Sequence, residues 1–227
     1  MKHAVRTLAE MIVLGEGGAV LRELCARIYS DEVSIVLRRD LLEDHFVPAP
    51  RIAIKLRPLE ARDIPTIVSE RPRRLPVILD NVPGGYVAVT DTGELAFMIW
   101  VIFGDQWPIF ETHFKGNIPR ALEPDECMFE FAYTFKKFRG MGVMSAAMIL
   151  IVEEARRLRP TARWGYNYIR QSNEPSLRGC RNAGFRPFMK REEHWRAMRL
   201  QQSFIQLTSA SMFPFERVAD QLAGHCT

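Results

Sequence analysis

The chain has 227 residues, 47% of them hydrophobic and 26% charged, with a formal charge of +4, which suits one globular domain, or one domain with an extension, and excludes a disordered or fibrous chain. Basic residues are spread along the chain rather than gathered in a stripe, which argues against nucleic-acid binding. The four cysteines (Cys25, Cys127, Cys180 and Cys226) form no CxxC pair and have no metal-ligand spacing with histidine, which argues against a zinc site or a disulfide framework. No segment approaches a membrane span, and the apolar run Met11 to Leu14 is too short for a signal-peptide core. The expected protein is therefore cytoplasmic, metal-free and reduced.

In chain order, Ala4, Val5, Leu8, Met11 and Ile12 recur at helical spacing until Gly15, Gly17 and Gly18 break the pattern, and Leu21, Leu24, Cys25 and Ile28 restart it. Residues 33–39 read as a short strand, and Leu42 to Pro50 as a connector. Ile52, Ile54 and Leu56 alternate with Ala53, Lys55 and Arg57, as in a half-buried strand ended by Pro58. A helix follows through Val68, then a basic loop from Arg71 to Pro76. Gly85 to Thr90 and Leu95 to Phe103 form a hairpin about Asp91-Thr-Gly93. Residues 104–125 read as a long loop carrying Trp107, Phe110, His113 and Phe114, and long loops on compact domains are often functional. Cys127 to Phe135 is a central strand. A helix spans Val143 to Leu158, with Met144, Met148, Ile151, Val152, Ala155 and Leu158 on its apolar face. Trp164 to Ile169 is a strand, 174–183 a helix closed by Gly184, and Phe185 to Phe188 the start of a last strand. His194 to Leu207 fits strand or helix.

Between the central strand and the long helix stands Phe138-Arg-Gly-Met-Gly-Val-Met-Ser145. Glycines let the backbone approach an anion, and the first amides of a helix are donors aimed at it. A P-loop would need a lysine and hydroxyl after its last glycine. A dinucleotide fingerprint would need a third glycine and an acid ending the next strand, where Ile169-Arg170 stands. Neither pattern is met.

The turn resembles the acyl-CoA-binding motif of the GNAT superfamily of N-acetyltransferases, Q/R-x-x-G-x-G/A, with Arg139 first, Gly142 fourth and Met144 in place of the small residue. Asn173, Ser176, Gly184 and Phe185 stand in register with the family's motif N-x-x-S-x-x-x-Y-x-K-x-G-F, with Cys180 for the tyrosine and Asn182 for the lysine. Ile52 to Asp63 is similar to the strand and first turn that open many such domains. The resemblance covers roughly residues 51–200.

The resemblance implies a mixed α/β (α+β) fold: a mostly antiparallel sheet flanked by helices, its fourth and fifth strands splayed around the pantetheine arm. Residues 1–49 are read as an N-terminal extension of helices and one short strand, 50–207 as the acyltransferase domain and 208–227 as a tail. The implied cofactor-binding set is Phe135, Arg139, Gly140, Met141, Gly142, Val143, Met144, Ser145, Asn173 and Ser176. The implied reaction is direct transfer of acetyl from acetyl-CoA to a primary amine of a small molecule or peptide. A non-catalytic acyl-CoA-binding or partner-binding module on the same fold, or transfer of a longer acyl group, are the alternatives. Glu130, among Phe129, Phe131 and Tyr133, is the expected base, with Glu126 in reserve. With Cys180 in the tyrosine's place, the leaving-group acid falls to Tyr168, Tyr166 or Tyr133, or to solvent; Tyr168 is the assignment. The expected partners are an acyl-CoA, an amine acceptor and a possible second copy of the chain, with neither nucleic acid nor membrane.

Overall fold

The computed structural model describes residues 25–70, 84–109 and 121–207. The strands are β1 (Tyr29–Asp40), β2 (Ile54–Pro58), β3 (Gly85–Thr90), β4 (Leu95–Phe103), β5 (Glu126–Thr134), β6 (Trp164–Arg170), β7 (Arg186–Arg196) and β8 (Arg199–Gln206). The helices α1 (Ile64–Glu70), α2 (Val143–Leu158) and α3 (Glu174–Asn182) flank them. One sheet runs in the order β2-β3-β4-β5-β6-β1-β7-β8. Every neighbouring pair is antiparallel except β5 and β6. This is the mixed, mostly antiparallel α/β architecture expected from the sequence.

The core centres on β4, whose nine residues are apolar and all buried. Residues paired across antiparallel strands share a face, so Val87, Met98 and Tyr133 point one way and Tyr86, next to Val87, the other. Tyr133 bonds to Glu70 of α1, and Tyr86 to Glu154 of α2. The two helices therefore cover opposite faces. α3 lies with α2, since Ser145 Oγ of α2 donates to the Gly179 carbonyl at 3.2 Å.

Two expectations shift. The buried face of α2 includes Val143 and Ala147, while Leu158 is 39% exposed. Met144 is partly buried and turns toward α3, where a Cβ on Gly179 would lie 2.6 Å from its sulfur. The strand read at 33–39, within the segment taken as an extension, runs from Tyr29 to Asp40 inside the sheet, between β6 and β7. Its central residues Ile35, Val36 and Leu37 are buried. Arg39 anchors it to the end of α3, its guanidinium donating to the Ala183 carbonyl. The helix pattern at 4–12, the loop at 71–76 and the tail from 208 lie outside the described residues. His194 to Leu207, which fits either helix or strand by sequence, forms the end of β7 and all of β8. These strands join at Ala197 and Met198, with φ of 47° and 66°. No helix among the described residues is long and apolar enough to cross a membrane.

Candidate functional site

β5 and β6 stay paired for only three residues, ending at Met128 opposite Tyr166. Beyond that point they diverge, and the residues that follow, Glu130 on β5 and Tyr168 on β6, border the opening. Glu130 is paired with Trp100, and Trp100 with Gly85. A Cβ on Gly85 would crowd the Trp100 indole at 3.0 Å, so the ring lies close against bare backbone there. That row lies on the face covered by α1.

Phe131 interrupts β5 with φ of 59°, and the register with β4 shifts alongside it. A left-handed bulky residue within a strand is strained and holds only where its surroundings fix it. Here the Phe131 ring packs edge-on to Trp100, centroids 5.8 Å apart. The bulge also turns the Phe131 N–H onto the Glu130 carboxylate. Glu130 keeps some solvent exposure, yet protein atoms surround its carboxyl group. Burial raises its pKa to about 7, against smaller lowering effects from the Phe131 amide and Arg191. No signal in the sequence marks a phenylalanine for this conformation or brings Arg191 of β7 near Glu130.

The other acid and base candidates separate by their partners. Glu126 is buried and accepts from the Tyr166 hydroxyl at 2.8 Å and the Glu123 amide at 2.9 Å. Burial and that carboxylate push the Tyr166 hydroxyl up to about 12. Glu126 and Tyr166 thus join β5 to β6 at the base of the splay. Tyr133 donates to Glu70 at 2.9 Å. Tyr168 lies on the same face as Glu130, with the Arg191 guanidinium carbon 5.9 Å from its ring centroid. Cys180 is fully buried on the opposite face, where it accepts from Asn167 Nδ2 at 3.7 Å and burial raises its thiol to about 12. A cavity of about 40 Å³ lies among Glu126, Tyr166, Tyr168, Val36 and Phe188; that is room for a water.

Past β5 the chain makes a short turn, Lys136–Phe138, and reaches the glycines. Gly140 and Gly142 have φ of 73° and 77°, values that glycine adopts without penalty. A Cβ on Gly140 would meet nothing within 4 Å, so the backbone there is open. Gly142 is the N-cap of α2, and no side chain caps the helix. The first intrahelical bond runs from the Ala146 amide to the Gly142 carbonyl at 3.3 Å. The amides of Val143, Met144 and Ser145 precede it, so this end presents backbone donors of the kind that can face an anion. The Met144 side chain packs over Gly179 of α3. The Met141 carbonyl accepts from the Arg51 amide at 2.9 Å, which fixes the outer side of the turn.

The remaining residues of the set are spread around this turn. Arg139 donates from Nε to the Thr134 carbonyl at 3.1 Å, and its guanidinium lies 5.2 Å from the Tyr133 centroid. Phe135 is buried and packs edge-on to Tyr133 at 5.5 Å. It also lines a separate cavity of about 620 Å³ on the α1 side, with Arg57, Glu70 and Lys137. Asn173 caps α3, its Oδ1 accepting from the Ser176 amide at 3.4 Å. No group of three or more metal-ligating side chains is present among the described residues.

No protein-family model matches the sequence, and no curated protein matches it. Solved structures do. A GCN5-related N-acetyltransferase from Sphaerobacter thermophilus aligns with a TM-score of 0.50 at 15% identity, over 85% of this chain and 58% of that one. A functionally unknown conserved protein from Staphylococcus epidermidis aligns with a TM-score of 0.50 at 10% identity, over 79% of this chain and 67% of that one. The chain thus spans somewhat more than half the length of the first. At these identities the likeness concerns the fold, and the fold is that of the GNAT superfamily.

Proposed function

We propose that the chain is an acyl-CoA-dependent acyltransferase, and specifically an N-acetyltransferase acting on a primary amine. The observation that carries this reading is the meeting of two features at one splay. An uncapped glycine turn opens α2 on one side of the sheet, and a carboxyl group with a pKa of about 7 stands on β5 on the other. The fold supports the reading, since GNAT-type sheets belong to acetyltransferases such as the Sphaerobacter thermophilus protein.

Gly140, Gly142, Val143, Met144 and Ser145 hold the pyrophosphate through backbone amides, with Arg139 adding positive charge and Met141 and Phe135 shaping the approach. Open backbone, positive φ at both glycines and the lack of a side-chain cap fit a diphosphate. Asn173 and Ser176 border the thiol end from α3. Bound acetyl-CoA supplies an activated thioester, which makes amide formation favourable without a covalent enzyme intermediate. The protein's own work is to move protons. An amine arrives as an ammonium, and Glu130, half ionised near neutral pH, takes its proton. Tyr168 holds a proton within the same opening and gives it to the departing sulfur.

The test is a panel of primary amines incubated with acetyl-CoA, read by free-thiol release and by product mass. Acetylated product from at least one amine class is the expected result. Acetyl-CoA binding without transfer to any amine would leave a binding module instead.

A further inference from the structure

The two edges of the sheet are built differently. β2 has five residues, among them Lys55, Arg57 and Pro58, and such charges and proline discourage pairing with another strand. β8 has eight residues, Arg199-Leu-Gln-Gln-Ser-Phe-Ile-Gln206, with no proline and a single charge at its first position. Among the described residues no strand pairs with its outer side. Met198, Leu200 and Ile205, at its turn and along its length, are 52%, 39% and 46% exposed. A long, neutral, partly apolar edge is a template for another strand.

The direction of its backbone groups follows from one hydrogen bond. The Leu207 amide donates to the Phe188 carbonyl at 3.0 Å, and the β7–β8 register continued by one step places those two residues opposite each other. In an antiparallel ladder such directly opposed, bonded pairs recur every second residue. Odd-numbered residues of β8 therefore turn their amides and carbonyls toward β7. Leu200, Gln202 and Phe204 turn theirs outward.

We infer that β8 docks a second copy of this chain, pairing antiparallel with its own counterpart about a two-fold axis at Gln202. A two-fold axis normal to the sheet keeps the faces of both copies aligned, so opposed residues must share parity, and bonded pairs must join outward-facing residues. The register centred on Gln202 meets both conditions: Gln202 opposes its copy, and Leu200 opposes Phe204 of the other chain, and the reverse. On one face exposed Leu200 then meets half-buried Phe204 of the other chain. The single charge, Arg199, falls opposite Ile205, so no like charges oppose each other. The joined sheet has sixteen strands, twice the eight of one chain, and both β8 edges are closed. This inference does not depend on the acyltransferase reading, and its test needs no activity.

The experiment combines solution mass with cross-linking. Light scattering of the full chain is expected to give twice the chain mass. Mild oxidation of the Gln202→Cys variant is expected to give a disulfide-linked dimer, with the 202–202 peptide found by mass spectrometry, because the axis sets that position against itself. Gln206→Cys, opposite Met198, gives no 206–206 link. Gln202→Pro removes an outward amide and spares the ladder to β7, so it yields a folded monomer by circular dichroism. Should that variant fail to fold, Leu200→Lys reads the same contact. A monomeric wild type overturns the inference, and so does a dimer that resists both substitutions without a 202–202 link.

Discussion

On one side of the splay β4 buries all nine of its residues; on the other, β8 exposes six of eight. The half from β2 to β5 carries α1 and α2 on opposite faces and holds most of the core. In the half from β6 to β8, α3 lies on the face opposite Tyr168 and Arg191, against Asn167 and Arg39. The candidate site lies on the border. β5 supplies a carboxyl group whose pKa burial raises, and β6 supplies a half-buried tyrosine on the same face. The two groups are therefore not interchangeable: Glu130 stands where burial raises its pKa, and Tyr168 stands beside Arg191.

The sharpest break of this comparison is Glu130→Gln. Turnover is expected to fall by about 10²- to 10⁴-fold, with acetyl-CoA affinity unchanged by calorimetry. In the wild type, the rate should rise with pH through about 7 as Glu130 ionises, and the variant should lose that limb. The stability effect has the opposite sense. The folded pKa stands above the ordinary value of 4.5, so the native state binds more protons between those values. Stability therefore falls as pH rises through that window. At pH 8 Glu130→Gln is expected to be more stable than wild type, on the order of 1–3 kcal/mol, by denaturant titration.

The tyrosines of β6 separate next. Tyr168→Phe is expected to lower kcat on the order of a hundredfold with little change in melting temperature. Tyr166→Phe breaks the bond to Glu126 and is expected to cost about 1 kcal/mol of stability, with kcat nearly kept. Equal kinetic effects of the two would remove the distinction between the acid and the strut.

Packing between α2 and α3 gives a third handle. Gly179→Ala brings a methyl into the Met144 sulfur and is expected to destabilise by about 1–3 kcal/mol. Met144→Ala in the same chain should relieve most of that loss in a double-mutant cycle.

The packed half was the legible one. β4 and α2 announce themselves by an unbroken apolar run and a helical stripe, and both have the expected bounds. The glycine turn was visible because positive φ leaves a residue-type signature. β7 and β8 were ambiguous because residues such as Glu192, Glu193, Gln201 and Gln202 are polar on both faces, which erases the period-2 signal. The position of β1 was hidden for another reason: its neighbours β6 and β7 lie 124 or more residues away in sequence (164 − 40), and leave no local mark. The Phe131 bulge and the nearness of Arg191 to Glu130 are long-range consequences of the same kind. Met144, which departs from the family motif, became intelligible only through Gly179, thirty-five residues on in the next helix.

The central claim is that the glycine turn and the splay together hold an acyl-CoA. Calorimetric titration of the purified chain with acetyl-CoA tests it most directly. One site per chain is expected, with affinity kept in Glu130→Gln and about tenfold weaker in Gly142→Ala, where φ of 77° strains any side chain. Absence of binding at millimolar acetyl-CoA, or binding indifferent to Gly142→Ala, would contradict it.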